Sequence, residues 1–287
     1  MEQRFSPLPH RVCLMAGPVL VVLYGVGFVV LCKFAPVPNP AWPAERLVAW
    51  ILDHKYSYEL GCLFMLIGAG LLAPWGASHA VWTRKTEVRF PVMYITQLAS
   101  LGASVAIFIM ISIFWGLAAF RAGQISPEIT QTIFDLGWFT FLWAGPAFYL
   151  WALSLGLGIL WNPPEHQLFP RWSGWFTVAA VLSWSPGLIF VFWSYGPAAY
   201  NGPLPTWIAL VDYGVWTVTM TAVGWRAISR QEALSRAERG EGLGVYPPPE
   251  LDDPGDPGDS GDSGDSGAEH TPERSGALSG ASTNGRG

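Results

Sequence analysis

Residues 92–120 read "VMYITQLASLGASVAIFIMISIFWGLAAF", 29 residues without an Asp, Glu, Lys or Arg. A bilayer core of roughly 30 Å is crossed by about 20 apolar residues in helix. Lipid offers no partner to open backbone groups, so the run is expected to be helical from end to end. Five other runs share this character, at about 13–34, 58–82, 134–161, 173–199 and 204–227. The expected fold is an all-α polytopic bundle of six transmembrane spans. Residues 1–12 form a cytoplasmic N-terminus, 13–228 the membrane domain and 240–287 a tail. Pro18, Pro74, Pro146 and Pro186 fall inside the runs, where they predict kinks and close helix contacts.

The composition agrees. Of 287 residues, 51% are hydrophobic and 13% charged, against about 25% charged in a typical soluble domain. The net charge of −5 owes much to the tail, which contains "PPPELDDPGDPGDSGDSGDSGAEH" (247–270). Such a stretch buries too little apolar surface to offset its ordering entropy, so the tail is expected to be a disordered, solvated appendage. Cys13, Cys32 and Cys62 show neither metal spacing nor a disulfide framework and are expected to be buried, inert thiols. The first run is too long for a signal-peptide core and lacks a cleavage site, so it reads as a retained anchor.

Cations orient the bundle. Arg4 and Arg11, then Arg84, Lys85 and Arg89, then Arg171, then Arg226, Arg230, Arg236 and Arg239 mark alternate segments as cytoplasmic. Both termini are therefore expected inside, in a multi-pass plasma-membrane protein. Lys33, Arg46, Lys55 and Arg121 are the exceptions on the outer side. The first outer loop contains "PAWPAERLVAWILDHKYSY" (40–58), which predicts a short amphipathic helix. Its Leu47, Trp50 and Ile51 share one face, suited to lying on the membrane surface.

Three acids interrupt the apolar pattern. "YELGCLF" (58–64), "FDLGWF" (134–139) and "IALVDYGVW" (208–216) each carry acid-x-Gly near the start of a run. The acids, Glu59, Asp135 and Asp212, are spaced 76 and 77 residues apart. Together with a repeated Phe-Trp at 114–115 and 192–193, the spacing fits three tandem hairpins, though regular span length alone would also produce it. An ionisable residue inside a membrane is expensive and commonly marks function. All three acids fall on helices running inward, in the outer half of the bundle, with Asp212 the deepest and Arg121 on the same side. The structural alternative for each acid is an ion pair with Arg121 or a hydrogen bond from Tyr or Trp.

Desolvation favours a protonated carboxyl, which is a proton donor. Aromatic faces stabilise cations. Trp216 lies one turn beyond Asp212 and Tyr213 is adjacent to it; Trp138 follows Asp135, and Trp115 precedes Arg121. An acid in an aromatic, greasy cavity suits protonation of an isoprenoid alkene or epoxide followed by cationic cyclisation. Belts and packing are the alternative role for the tryptophans. Other chemistries lack their residues. The five histidines are scattered, so a His-cluster metalloenzyme is not expected. The only Asp-Asp, at 252–253, lies in the tail, which argues against Mg²⁺-diphosphate chemistry. No P-loop, G-x-S-x-G or C-x-x-C occurs in the runs, and the cations are too few and dispersed for nucleic acid. No cofactor is expected.

"FWGLAAFRAGQISPEITQTIFDLGW" (114–138) and "LFPRWSGWF" (168–176) resemble a family of small six-span actinobacterial membrane proteins, most of them unassigned. This likeness covers residues 15–228, and the GDS repeats of the tail fit a high-GC actinomycete. More loosely, the chain is similar to small membrane-bound terpene cyclases of fungal meroterpenoid pathways and bacterial drimane-type pathways. The fungal group places a Glu on its second helix and an acid on its last, as Glu59 and Asp212 are placed here, although it has seven spans rather than six. This resemblance implies a cyclase acting on a prenylated intermediate such as a farnesylated indole diketopiperazine. Asp212 or Glu59 would be the acid, Asp135 and Arg121 would shape the field, and Trp115, Trp138, Tyr213 and Trp216 would be the cation-stabilising walls. Its partners would be the lipophilic substrate, the bilayer and a prenyltransferase of the same pathway. A transporter of a lipophilic metabolite, or a non-catalytic accessory protein, is the alternative.

Overall fold

A computed structural model describes residues 6–87, 90–162 and 168–238. The tail expected at 240–287 lies outside them, as do Arg4, Arg89 and Arg239. The described chain is all-helical: α1 (Pro7–Gly25), continued by a π-helical turn Val26–Leu31, α2 (Ala44–Asp53), α3 (Lys55–Thr86), α4 (Val92–Arg121), α5 (Pro127–Trp143), α6 (Pro146–Trp161), α7 (Arg171–Trp184) and α8 (Ala209–Glu238).

Five helical stretches are long and apolar enough to cross a membrane: Pro7–Leu31, Lys55–Thr86, Val92–Arg121, Pro127–Trp161 and Arg171–Phe192. The sixth expected span, α8, is 30 residues long but is not among them. Asp212, Thr217, Thr219, Thr221, Arg226 and Arg230 make it too polar.

The prolines act differently according to position. Pro18 and Pro74 sit inside continuous helices. Pro146 instead opens α6 after a break at Ala144–Gly145. Pro186 ends α7, which passes into two short 3₁₀ turns, Ser185–Leu188 and Phe190–Phe192. Proline lacks the amide hydrogen that the next α-helical bond requires. The run expected to span 173–199 therefore stops at Phe192, and irregular chain leads to a π-helical turn at Pro203–Ile208 that feeds α8.

Helix α3 packs between α1 and α4, α4 against α5 and α6, and α6 on α7; α8 closes the bundle against α1 and α7. The glycines of acid-x-Gly explain part of this packing. A Cβ on Gly61 would lie 2.7 Å from the Gly27 carbonyl oxygen and 2.6 Å from Cys32 Sγ, so α3 and the π turn of α1 touch backbone to backbone. A Cβ on Gly137 would collide with the Trp115 indole, so α5 passes directly under α4. At Gly214 the nearest atom, on Val21, is 3.7 Å away and the fit is loose. Small residues are what allow helices to approach this closely in lipid.

Two aromatic cores result. One, at the α2 end, gathers Phe28, Phe34, Tyr58, Trp115, Phe134 and Trp138. The other, towards the end holding the start of α1 and the end of α8, gathers Trp75, Phe148, Trp151, Trp184 and Trp216. The predicted amphipathic helix is α2, but its apolar face does not lie on a membrane surface. Leu47 and Ile51 are buried in the first core, and Trp50 stacks on Phe34 with ring centres 6.1 Å apart. Apolar side chains face outward as well. Val12, Val19 and Val22 of α1, Leu63 and Ile67 of α3, and Val211, Val215 and Val218 of α8 are all exposed.

Candidate functional site

A cavity of about 70 Å³ lies between the two cores. Half of its lining is aromatic: Tyr24 from α1, Phe108 from α4 and Phe141 from α5, then Phe148 and Tyr149 from α6, Trp184 from α7 and Tyr213 from α8. Two breaks in the bundle contribute to it: Ala144 and Gly145 come from the α5–α6 break and Pro205 from the π turn before α8. Broken helices bring chain ends, rather than continuous ridges, to the middle of the bundle, and that leaves the space. Among the described residues no charged side chain lines it.

The expected site residues are distributed around this cavity rather than gathered in it. Tyr213 is the one of them in its wall. Trp216, one turn further, is fully buried, donates from Nε1 to Thr177 Oγ1 at 3.0 Å, and packs on Phe148 and Trp184. Trp115 and Trp138 are fully buried with ring centres 5.0 Å apart, but they belong to the core at the α2 end.

The three acids have three different partners. Asp212 accepts a 2.6 Å hydrogen bond from Ser183 Oγ. Both residues are half-buried, and both immediately precede a cavity wall residue, Tyr213 and Trp184. Asp135 accepts from the Tyr200 hydroxyl at 3.4 Å, and the Tyr200 ring stacks on Trp138 with centres 4.8 Å apart. Burial, reinforced by the Asp135 carboxylate, pushes the Tyr200 phenol well above its usual range, so it stays a neutral donor. Glu59 pairs with Lys55 one turn back at 3.9 Å, with both side chains partly exposed. Arg121 was expected to pair with one of these acids. It is exposed, bonds Gln124 at 3.4 Å and lies over the Phe120 ring, and among the described residues no acid reaches it.

Helix geometry accounts for the dispersal. Residues two apart on a helix point about 200° away from each other. Where the glycine of acid-x-Gly meets a neighbouring helix, the acid is turned to the opposite flank. All three acids are accordingly half-exposed rather than central.

Sequence reasoning missed Tyr24, Phe108, Phe141, Phe148, Tyr149 and Trp184, six of the seven aromatic residues in the cavity wall, and Ser183, the partner of Asp212. The helix breaks at Pro146 and Pro186 signal only Phe148, Tyr149 and Trp184. The cysteines are also closer than their spacing suggests. Cys32 and Cys62 are buried with sulfurs 4.0 Å apart, whereas Cys13 is only half-buried. Among the described residues no three His, Cys, Asp or Glu side chains gather as a metal site.

No protein family profile matches the chain, and no characterised protein or solved structure is significantly similar to it. Function therefore has to be argued from the cavity.

Proposed function

We propose that this is a six-span plasma-membrane protein that cyclises a prenylated, lipophilic intermediate within its bundle. The observation that carries this reading is the uncharged, half-aromatic cavity, with the hydrogen-bonded Asp212 and Ser183 each one residue before a wall residue, Tyr213 and Trp184. The outward apolar stripe Val211, Val215, Val218 supports α8 as the sixth span, with both termini cytoplasmic. A volume of about 70 Å³ admits the end of a prenyl chain, whereas pockets that enclose a whole small molecule run to about 300 Å³ or more. The rest of the substrate lies between helices or in lipid.

In the chemistry, the Asp212 carboxyl gives a proton to a terminal alkene carbon or an epoxide oxygen, and the Ser183 hydroxyl, already hydrogen-bonded to it, stabilises the carboxylate that results. The neighbouring alkene attacks the tertiary cation and closes a ring. Loss of a proton from an adjacent carbon to the Asp212 carboxylate ends the sequence and restores the acid, so an alkene substrate is isomerised without a co-reactant. Phe108, Phe148, Trp184 and Tyr213 present the π faces that stabilise the migrating charge. Trp216 holds Tyr213 and Trp184 in place from behind. The farnesylated indole diketopiperazines and the pathway prenyltransferase are the substrate and partner this reading implies.

The test is expression in a host that supplies a farnesylated indole diketopiperazine, with products read by mass spectrometry and NMR. Wild type should convert the linear substrate to a cyclised isomer of equal mass. Asp212→Asn should lower that rate about 10²- to 10⁴-fold, the usual contribution of a general acid. Linear substrate recovered unchanged with wild type overturns the reading.

A second reading has its own support. Broken helices around a mid-bundle cavity are also the architecture of secondary transporters, and the α5–α6 break and the π turn before α8 both reach this one. Efflux of the linear compound from loaded vesicles, without change of structure, would favour transport.

A further inference from the structure

The cavity wall contains three tyrosines, one with its hydroxyl committed and two whose hydroxyls are buried without a hydrogen-bond partner. Tyr149 donates to the Trp184 carbonyl oxygen at 2.9 Å and is committed. The Tyr213 hydroxyl is buried without a hydrogen-bond partner, but the Thr217 hydroxyl, also unpartnered, lies one turn further along α8 within its reach. Tyr24 is 4% exposed, and its hydroxyl is buried without a hydrogen-bond partner. Its ring packs against Phe108, another wall residue, with centres 5.7 Å apart. A buried hydroxyl that bonds nothing is costly and is rarely left so. A Phe at position 24 would fill the same wall without that cost.

The geometry points to Tyr24 as the residue that binds an acceptor oxygen of the ligand. The cavity would take an isoprenoid carrying an uncharged ether, epoxide or carbonyl oxygen, held by the Tyr24 hydroxyl while the chain lies against the aromatic wall. A diphosphate or carboxylate does not fit, because no cation lines the space. This inference rests on reading the cavity as an isoprenoid site and is independent of the cyclisation step. It sets specificity: a hydrocarbon chain of the same length would leave the hydroxyl unsatisfied and bind more weakly.

The experiment uses the full chain in lipid nanodiscs and two radiolabelled probes, farnesyl methyl ether and the hydrocarbon in which a methylene replaces its ether oxygen. Binding to protein-free nanodiscs is subtracted. Wild type should prefer the ether about 3- to 10-fold, the range of one neutral hydrogen bond. Tyr24→Phe should erase the preference while keeping its affinity for the hydrocarbon, which also reports that the cavity is intact. Tyr58→Phe removes another buried, unpartnered hydroxyl that does not line the cavity, and should keep the preference. The inference is overturned if wild type binds the two probes equally, if neither binds, or if Tyr24→Phe still discriminates. A preserved preference in a protein that cyclises nothing would sink the cyclase reading and leave Tyr24 its role.

Discussion

The two aromatic cores are built from the same residue types and held by different means. At the α2 end, Trp115 and Trp138 are fully buried and neither indole nitrogen has a hydrogen-bond partner. That core relies on fit: Phe34 meets Trp115 edge-on at 4.8 Å, and Gly137 and Gly61 let helices close around it. In the other core, Trp75 donates to Thr221 at 2.9 Å and Trp216 to Thr177 at 3.0 Å, so α3, α7 and α8 are cross-linked through indoles. His79 adds a ring nitrogen facing the Met220 carbonyl oxygen at 3.4 Å. In a bilayer, which five of the helical stretches are long and apolar enough to cross, lipid supplies no hydrophobic drive between helices, so packing and interhelical hydrogen bonds are what remain. The second core adds hydrogen bonds at two of its indoles, while Trp151 and Trp184 there are without a partner among the described residues, and the cavity lies where the cores meet.

The comparison breaks most readily at the glycines. Gly61→Ala puts a methyl group against the Gly27 backbone, and Gly137→Ala puts one into the Trp115 ring. Backbone and a fully buried indole yield little, so each should lower stability by about 1–3 kcal/mol, as overpacking usually does. Gly214→Ala meets nothing closer than 3.7 Å. It should be neutral, or stabilising by up to about 1 kcal/mol through helix propensity. Unfolding in mixed detergent measures all three. Equal losses at the three positions would show that the motif's glycines do not owe their effect to helix contact.

A subtler probe is Trp→Phe in each core. Trp115→Phe and Trp216→Phe remove the same volume from fully buried sites. Only Trp216→Phe also removes a hydrogen bond, leaving Thr177 without that donor. Interhelical hydrogen bonds in membrane proteins contribute about 0.6–2 kcal/mol, so Trp216→Phe should be the more damaging by that margin. The same unfolding assay decides it, and a larger loss at Trp115 would mean that fit governs both cores.

Most of the helical architecture was legible because membrane runs announce themselves by length and lack of charge, as 92–120 does. Two boundaries were not. Hydropathy carried the fifth run to residue 199, although Pro186 stops the helix, because Phe190, Val191 and Trp193 are apolar whether or not they are helical. The eighth helix was found by its apolar half, while Thr221, which accepts from Trp75 across the bundle, lowers its hydropathy together with Thr217 and Thr219. The site was less legible than the fold. Asp212 was picked out by sequence, but Ser183 and Tyr24 come from other helices and carry no local signal. The repeated acid-x-Gly directed attention to the acids, whereas the contacts that Gly61 and Gly137 make lie on the opposite flank.

The smallest effect is expected at Glu59, and it separates the flank acids from the one beside the cavity. Glu59 and Lys55 are one turn apart, 3.9 Å between charged atoms, and both reach solvent or headgroups. Pairs of this kind contribute about 0–1 kcal/mol, because water screens the attraction and two long side chains lose freedom. Lys55 also donates to the Phe120 carbonyl at 3.3 Å, a contact that survives loss of the carboxylate. Glu59→Gln should therefore shift stability by less than about 1 kcal/mol, and in the cyclisation assay it should leave turnover within about threefold of wild type, far from the general-acid loss expected at Asp212. The two acids occupy equivalent places in their motifs, so sequence position alone predicts equal losses. A collapse of turnover in Glu59→Gln, with stability unchanged, would move the proton donor to the α2 end and make the Trp115–Trp138 core, rather than the cavity, the place where the cation is held.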